Sequence, residues 1–104
     1  MKLFELKDKV AIVTGSSRGI GRSIAEAYAA MGARVVVSSR KQEACDEVVD
    51  SINARYGKGL AVAIAANISD KRALKSLVDQ TLAEFGKVDV LVCNAASNPY
   101  YGPM

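Results

Sequence analysis

The apolar residues of this chain fall into two kinds of pattern that alternate along its length. Four short apolar runs occupy positions 10–13, 35–37, 60–66 and 88–92, the last of them interrupted by Asp89. Runs of this kind, apolar on both faces, are typical of strands buried in a parallel sheet. Between them, apolar residues recur every three or four positions, as they do on one face of an α-helix. The pattern therefore predicts the order β-α-β-α-β-α-β.

Each predicted helix has its own apolar stripe and its own end signals. The stripes are Ile20, Ile24, Ala27, Tyr28 and Met31; then Cys45, Val48, Val49, Ile52 and Tyr56; then Ala73, Leu74, Leu77, Val78, Thr81, Leu82 and Phe85. Gly32 and Gly86 are placed to end the first and third helices, and Ser69 or Asp70 can cap the start of the third.

Strands that alternate with helices of this length predict an α/β fold with a parallel sheet and right-handed crossovers. We expect a strand order of 3-2-1-4, with the first two helices on one face of the sheet and the third helix on the other. One partial domain should span residues 1–104, with its core at 8–94 and a loop or tail at 95–104.

A glycine-rich segment, Thr-Gly-Ser-Ser-Arg-Gly-Ile-Gly at 14–21, joins the first predicted strand to the first predicted helix. Gly15 allows a sharp turn, Gly19 a close approach of a ligand to the backbone, and Gly21 close packing of helix and strand. The free N–H groups of the helix start favour a pyrophosphate. The segment thus predicts a Rossmann-type dinucleotide site, here on four strands and three helices. Its predicted cofactor-binding residues are Gly15, Ser17, Arg18, Gly19, Ile20 and Gly21.

The end of the second predicted strand bears on which cofactor is bound. A dinucleotide fold that selects NAD usually has Asp or Glu there, but this chain has Ser38, Ser39 and Arg40, with no carboxylate before Glu43. The guanidinium of Arg40 suits a 2′-phosphate, and Arg18 can face the same place. We therefore predict NADP, with NAD less favoured, and include Ser39 and Arg40 in the site. The alternative is that both arginines are merely solvated.

Two other loops should lie at the same edge of the sheet, because ligands bind outside the carboxyl ends of parallel strands. Asn94 follows the fourth strand and can fix the backbone there, while Ala95 and Ala96 leave room for a ribose. Asn67, followed by Ile68, ends the third strand and can present an amide to an adenine. For both asparagines a simple turn or a helix cap is the alternative.

Charge and composition remove several other classes of function. Fourteen basic and eleven acidic residues give a net charge of +3, and no block of basic residues occurs, which argues against nucleic-acid binding. The chain has no histidine, the commonest general base and metal ligand. Cys45 and Cys93 lack metal or redox spacing and are expected to be reduced thiols in a cytoplasmic protein. We expect neither a signal peptide nor a membrane span.

Taken together, these motifs resemble the short-chain dehydrogenase/reductase family over residues 7–102. Residues 88–96 are similar to that family's fourth strand and its Asn-Asn-Ala-Gly motif, with Cys93 in place of the first Asn and Ala96 in place of Gly. Asn67 stands where the family often has Asp, and its side-chain oxygen can still accept a hydrogen bond from adenine. Residues 38–40 and 98–102 resemble the NADPH-preferring, carbonyl-reductase-like members.

The resemblance implies hydride transfer between a nicotinamide cofactor and a carbonyl or alcohol. In that family a Ser, a Tyr-x-x-x-Lys pair and an Asn perform the chemistry, all downstream of the fourth strand. No Tyr-x-x-x-Lys occurs in this chain, so we expect no catalytic residues and no activity, as in a truncated gene product or fragment. The full-length form is expected to be a homo-oligomer, and the fragment to self-associate through the strand at 88–92.

Three other interpretations are open at this point. The chain could be a non-catalytic nucleotide-binding module that acts alone or with a partner. A methyltransferase has a similar sheet and glycine loop, but it would favour a carboxylate near Ser39 for the ribose of its cofactor. A flavodoxin-like phosphoacceptor domain would need Asp at the end of the first strand, where this chain has Thr14.

Overall fold

Strands and helices alternate along the chain in the predicted order, in a computed structural model that describes residues 6–93. The strands are β1 (Val10–Thr14), β2 (Arg34–Ser38), β3 (Ala61–Ala63) and β4 (Val90–Val92). The helices are α1 (Gly19–Ala30), α2 (Gln42–Tyr56) and α3 (Lys71–Phe85). None of these three helices is both long and apolar enough to cross a membrane.

All four strands are parallel and lie in the order β3-β2-β1-β4, as the sequence predicts. β1 is central, and each of its five residues has a register partner in β2, from Val10 opposite Arg34 to Thr14 opposite Ser38. Every residue of β1 is buried. The carboxyl ends of the strands therefore meet at one edge of the sheet.

The sheet has a separate apolar core on each face. On one face, α1 and α2 pack on Val13, Val35 and Val37. On the other face, α3 places Leu77 against Ile12 and Val36. This confirms the predicted distribution of the helices, with two on one face and one on the other.

The predicted stripe of α1 is wrong in part. Ile20 is 74% exposed and Ala27 is also exposed, whereas Gly21, Ala25 and Ala29 form the buried face. The helix lies close to the sheet, and small side chains permit that approach. A large apolar residue near the start of a helix therefore does not identify its buried face. Ile24 and Tyr28 flank this face, half-buried against the core.

The third strand is also shorter than predicted. Its regular pairing ends at Ala63, although Ile64 and Ala66 still donate backbone hydrogen bonds to carbonyls at the end of β2. The side chain of Gln42, at the start of α2, accepts a hydrogen bond from the backbone N–H of Ala65 at 3.1 Å. An amide side chain thus replaces a strand partner, and the chain continues beside β2 without forming a regular strand.

The ends of α3 carry the predicted capping residues. Asp70 is the N-cap, and its carboxylate accepts a hydrogen bond from the Arg72 N–H at 2.9 Å. Gly86, with φ of 82°, adopts the left-handed conformation that ends the helix.

Asp89 locks the amino-terminal end of the sheet. Its N–H donates to the Val10 carbonyl at 2.9 Å, and its carboxylate accepts from the Val10 N–H at 2.8 Å. Lys87 lies 3.3 Å from the same carboxylate oxygen. The hydrogen bond from Val10, assisted by Lys87 and Lys9, holds the pKa of the Asp89 carboxyl below its ordinary value, against the opposing effect of burial. β4 is regular only from Val90 because the Asp89 side chain takes the preceding position in the ladder.

We expect Asp89→Asn to lower the urea midpoint at neutral pH. A lowered folded-state pKa means that the carboxylate stabilises the fold above its ordinary pKa, and that this contribution is lost as the pH falls through the folded-state pKa. Asn resembles the protonated acid, so the difference between variant and wild type should close at acid pH. Asp79→Asn is the control, because its carboxylate is on the surface, where it pairs with Lys75. A difference that is the same at every pH would contradict this assignment.

We also predict that the chain self-associates through β4. Among residues 6–93, β4 pairs with β1 alone, and its three apolar residues are only half-buried. At the opposite edge, the groove beside β3 is lined by Gln80 and Glu84 of α3, and such polar groups discourage strand pairing. Light scattering over a concentration series should show association. A compact monomer at all concentrations, as would follow if residues 95–104 covered this edge, would contradict the prediction.

Candidate functional site

Three hydrogen-bonded links hold the carboxyl ends of the four strands together. The Thr14 hydroxyl donates to the Val92 carbonyl at 3.2 Å and joins β1 to β4. The Ala66 N–H donates to the Ser39 carbonyl at 2.9 Å and joins the segment after β3 to the end of β2. The third link, between β1 and β2, runs through Ser16. The loops that leave these strands are therefore fixed relative to one another.

Ser16 was not among the residues predicted from the sequence, yet it joins the glycine loop to the end of β2. It is fully buried. Its N–H donates to the Ser38 carbonyl at 3.0 Å, and its hydroxyl oxygen accepts from the Ser38 N–H, also at 3.0 Å. The hydroxyl donates to the Val13 carbonyl at 2.6 Å. The sequence signal was faint: a small polar residue directly after a glycine that ends a buried strand.

The glycine loop leaves the start of α1 open. Gly15 and Gly19 both have φ of 62°, a left-handed conformation that favours glycine. A Cβ atom at Gly19 would meet nothing within 4 Å, so strain and not crowding requires glycine there. Arg18 is the N-cap residue of α1 but forms no side-chain capping hydrogen bond, and the first turn contains no acidic residue. Such a helix start is suited to an anion.

Both predicted arginines are on the surface at this edge. Arg18 and Arg40 are exposed, and neither guanidinium forms a hydrogen bond or an ion pair with another residue in the described range 6–93. Arg40 directly follows Ser39, whose carbonyl is fixed by Ala66. The end of β2 is thus rigid, while the charged group that it carries remains available.

The hydroxyl of Ser39 is occupied locally. It accepts from the Lys41 N–H at 3.2 Å, donates to the Lys41 carbonyl at 3.3 Å, and lies 3.1 Å from the Cys45 sulfur. These contacts organise the start of α2. Ser38 differs from it, because its hydroxyl is buried and has no hydrogen-bond partner among the described residues.

The side-chain oxygen of Asn67 is also engaged. It accepts from the Ser69 N–H at 3.1 Å and from the Ser69 hydroxyl at 2.7 Å, forming the turn that precedes α3. The oxygen of Asn67 therefore serves the turn, which was the alternative to a contact with adenine. Its amide nitrogen is the group that could face a ligand. Ile68 is half-buried beside it. The predicted residues Asn94, Ala95 and Ala96 lie outside the described residues.

The remaining predicted site residues differ in how far they are buried. Gly21 is buried in the face of α1 that meets the sheet, Ser17 is half-buried in the loop, and Ile20 is exposed beside the open helix start. Within residues 6–93, no group of acidic or cysteine side chains could hold a metal ion. The edge therefore offers backbone N–H groups and two guanidiniums, a donor set that suits a phosphorylated ligand.

The chain matches a protein-family model and is similar in sequence to known proteins. Residues 9–101 match the family model for short chain dehydrogenase. The short-chain dehydrogenase/reductase SDRA of Arabidopsis thaliana is 45% identical over 100 residues, which are 95% of this chain and 38% of that protein.

Solved structures that are similar to this chain include proteins of the same type. A short-chain type dehydrogenase/reductase from Mycobacterium marinum superposes with a TM-score of 0.82 at 40% identity, over 89% of this chain and 37% of that one. A 3-ketoacyl-(acyl-carrier-protein) reductase from Brucella melitensis, complexed with NADH, gives a TM-score of 0.76 at 37% identity, over 84% of this chain and 34% of that one.

The chain thus spans little more than a third of the length of these relatives. The match covers the sheet, its three helices and the glycine loop together, and it extends over nearly the whole chain. The chain belongs to the short-chain dehydrogenase family.

Proposed function

We propose that this chain is the cofactor-binding, amino-terminal part of an NADP(H)-dependent oxidoreductase. The observation that carries the proposal is the uncapped start of α1, tied through Ser16 to the strand end that carries Arg40. A dinucleotide has its phosphates at one place and its adenosine ribose at another, and the two loops offer donors for both. The bound cofactor would supply a hydride to a carbonyl or accept one from an alcohol.

The glycine loop is suited to the pyrophosphate. Its backbone N–H groups at the start of α1 have no side-chain cap, and an anion at a helix N-terminus is stabilised by those donors and by the helix dipole. Gly19 has open space where a side chain would otherwise begin, so that a ligand can approach the backbone. The absence of an acidic residue in the first turn removes the competing anion.

Charge at the end of β2 supports NADP over NAD. A 2′-phosphate would meet the exposed guanidinium of Arg40, with that of Arg18 across the loop. The first acidic side chain after Ser39 is that of Glu43, one residue into α2. NADH is the ligand in the related reductase from Brucella melitensis, so NAD is the alternative cofactor.

The proposal assigns no catalytic group to this chain. The family's acid–base pair would be a Tyr-x-x-x-Lys, which the sequence lacks, and a bound cofactor would have no proton donor or acceptor beside its substrate. A non-catalytic nucleotide-binding module is therefore the second candidate. We also propose a reducing, cytoplasmic location, which is supported by the two free cysteines, one of them exposed at Cys93.

We predict that the chain binds NADPH at least tenfold more tightly than NADH, because charge-assisted contacts to the 2′-phosphate are worth about 1.5–3 kcal/mol each. Titration calorimetry with both cofactors measures this difference. Arg40→Asp should reverse the preference, since a carboxylate repels the phosphate and accepts a hydrogen bond from a 2′-hydroxyl.

The matched control for Arg40→Asp is Arg55→Asp. It makes the same change in net charge at the far end of α2, so it tests whether the charge of the whole chain decides the preference. It should leave the ratio of the two affinities unchanged. Equal affinities of the wild type for NADPH and NADH would overturn the assignment of NADP.

We also predict that the isolated chain has no dehydrogenase activity. General acid–base catalysis contributes about 10²–10⁴-fold to rate, and the residues that would provide it are missing from this sequence. The assay is NADPH oxidation with a panel of ketones and diketones, using protein freed of host enzymes. Turnover that co-purifies with the chain and is abolished by a substitution in the glycine loop would refute the prediction.

A further inference from the structure

We propose that Ser16 is a positioning residue for cofactor binding, one that holds the glycine loop in register with the end of β2. Its role would be to let the pyrophosphate and the adenosine ribose be bound at the same time. This inference rests on the proposed function and adds to it a residue that contacts neither part of the ligand.

The geometry at Ser16 continues the β1–β2 ladder around a turn. Regular pairing of the two strands ends with Thr14 opposite Ser38, and Gly15 then turns the chain with φ of 62°. Beyond the turn, the Ser16 N–H and hydroxyl together satisfy both the carbonyl and the N–H of Ser38. The side chain thus adds a hydrogen-bonded link between the two strand ends beyond the last regular pair.

The other side of β2 is held independently of Ser16. The Val37 carbonyl accepts from the Ile64 N–H at 3.1 Å, and the Ser39 carbonyl accepts from Ala66. Loss of the Ser16 hydroxyl would therefore leave the strand end in place on β3, and it would leave the Ser16 N–H as the remaining hydrogen bond from this residue to Ser38. We expect loss of this hydroxyl to change the distance between the glycine loop and Arg40 and to leave the fold of both segments intact.

Ser16→Ala removes only the hydroxyl, and with it the hydrogen bond that this side chain accepts from the buried N–H of Ser38. Thr81→Val is the matched control. Thr81 is also fully buried, and its hydroxyl donates to the Leu77 carbonyl at 2.8 Å within α3, remote from the loop. Both variants lose one buried hydroxyl, which Thr81→Val replaces with a methyl group, so a general loss of stability should appear in both.

The experiment measures affinity for whole and partial ligands with the complete 104-residue chain, under conditions where each variant is shown to be folded. We expect Ser16→Ala to raise the Kd for NADPH by about tenfold, which corresponds to about 1.4 kcal/mol. The Kd for adenosine 2′-monophosphate, which has no pyrophosphate and would meet the glycine loop only at Arg18, should change by less than about twofold on the same scale. Thr81→Val should change neither value.

The outcomes separate the two proposals. If the wild type binds no NADPH, the proposed function fails. If it binds NADPH and Ser16→Ala binds equally well, or loses both ligands in parallel, the positioning role alone is overturned. If Ser16→Ala does not fold, Ser16→Cys keeps a weaker acceptor in a somewhat larger side chain and should give an intermediate loss of NADPH affinity. Amide exchange in the wild type is the remaining test: NADPH should slow exchange at Ser16 and Ser38 together, and a change at only one of them would contradict the coupling.

Discussion

The carboxyl end of β1 sets the central constraint on this structure, because the chain must leave the sheet there, turn and begin a helix beside β2. A regular ladder cannot follow such a turn, and every polar group left behind in the interior would be costly. Ser16 meets the constraint by pairing both backbone groups of Ser38. That pairing joins the start of the glycine loop to the strand end that precedes Arg40.

The two ends of the sheet are built for different purposes. At the amino-terminal end, the carboxylate of Asp89 is used within the fold, by the Val10 N–H and by Lys87. At the carboxyl end, the guanidiniums of Arg18 and Arg40 have no such partners within residues 6–93. Charge that is consumed locally stabilises the fold, whereas charge left exposed beside an open helix start can attract an anionic ligand. The charges that stabilise the fold and the charges of the candidate site therefore lie at opposite ends of the same sheet.

The periodicity of apolar residues correctly predicted the features that follow from burial in the sheet. It failed for local features that depend on single side chains. The strand order and the distribution of helices follow from buried runs and short connections, as at Val35–Val37. The buried face of α1 did not follow, because close packing favours Ala25 and Ala29 over the larger Ile20. Beyond the end of β3, the Ala65 N–H is paired by the amide of Gln42, which is twenty-three residues away in sequence. Such long-range replacements leave no periodic signal.

The candidate site shows the same division. Glycine spacing located the loop and the open helix start, since the left-handed residues Gly15 and Gly19 are encoded locally. Ser16 was missed because its partner, Ser38, is distant in sequence. The side-chain oxygen of Asn67 was predicted to accept a hydrogen bond from adenine, but Ser69 already donates to it. Exposed groups such as Arg40 can be identified from the sequence, but which hydroxyls remain available to a ligand is decided by packing.

The central claim is that a dinucleotide binds across the loops after β1 and β2. Backbone amide chemical shifts recorded during titration with NADPH test it most directly. We expect shifts at Gly15–Gly21 and Ser38–Arg40, with Val10 and Asp89 at the opposite end of the sheet unchanged. Shifts confined to the groove between β3 and α3, which is lined by Val62, Ile64 and Ala83 among others, or no shifts at saturating NADPH, would contradict it.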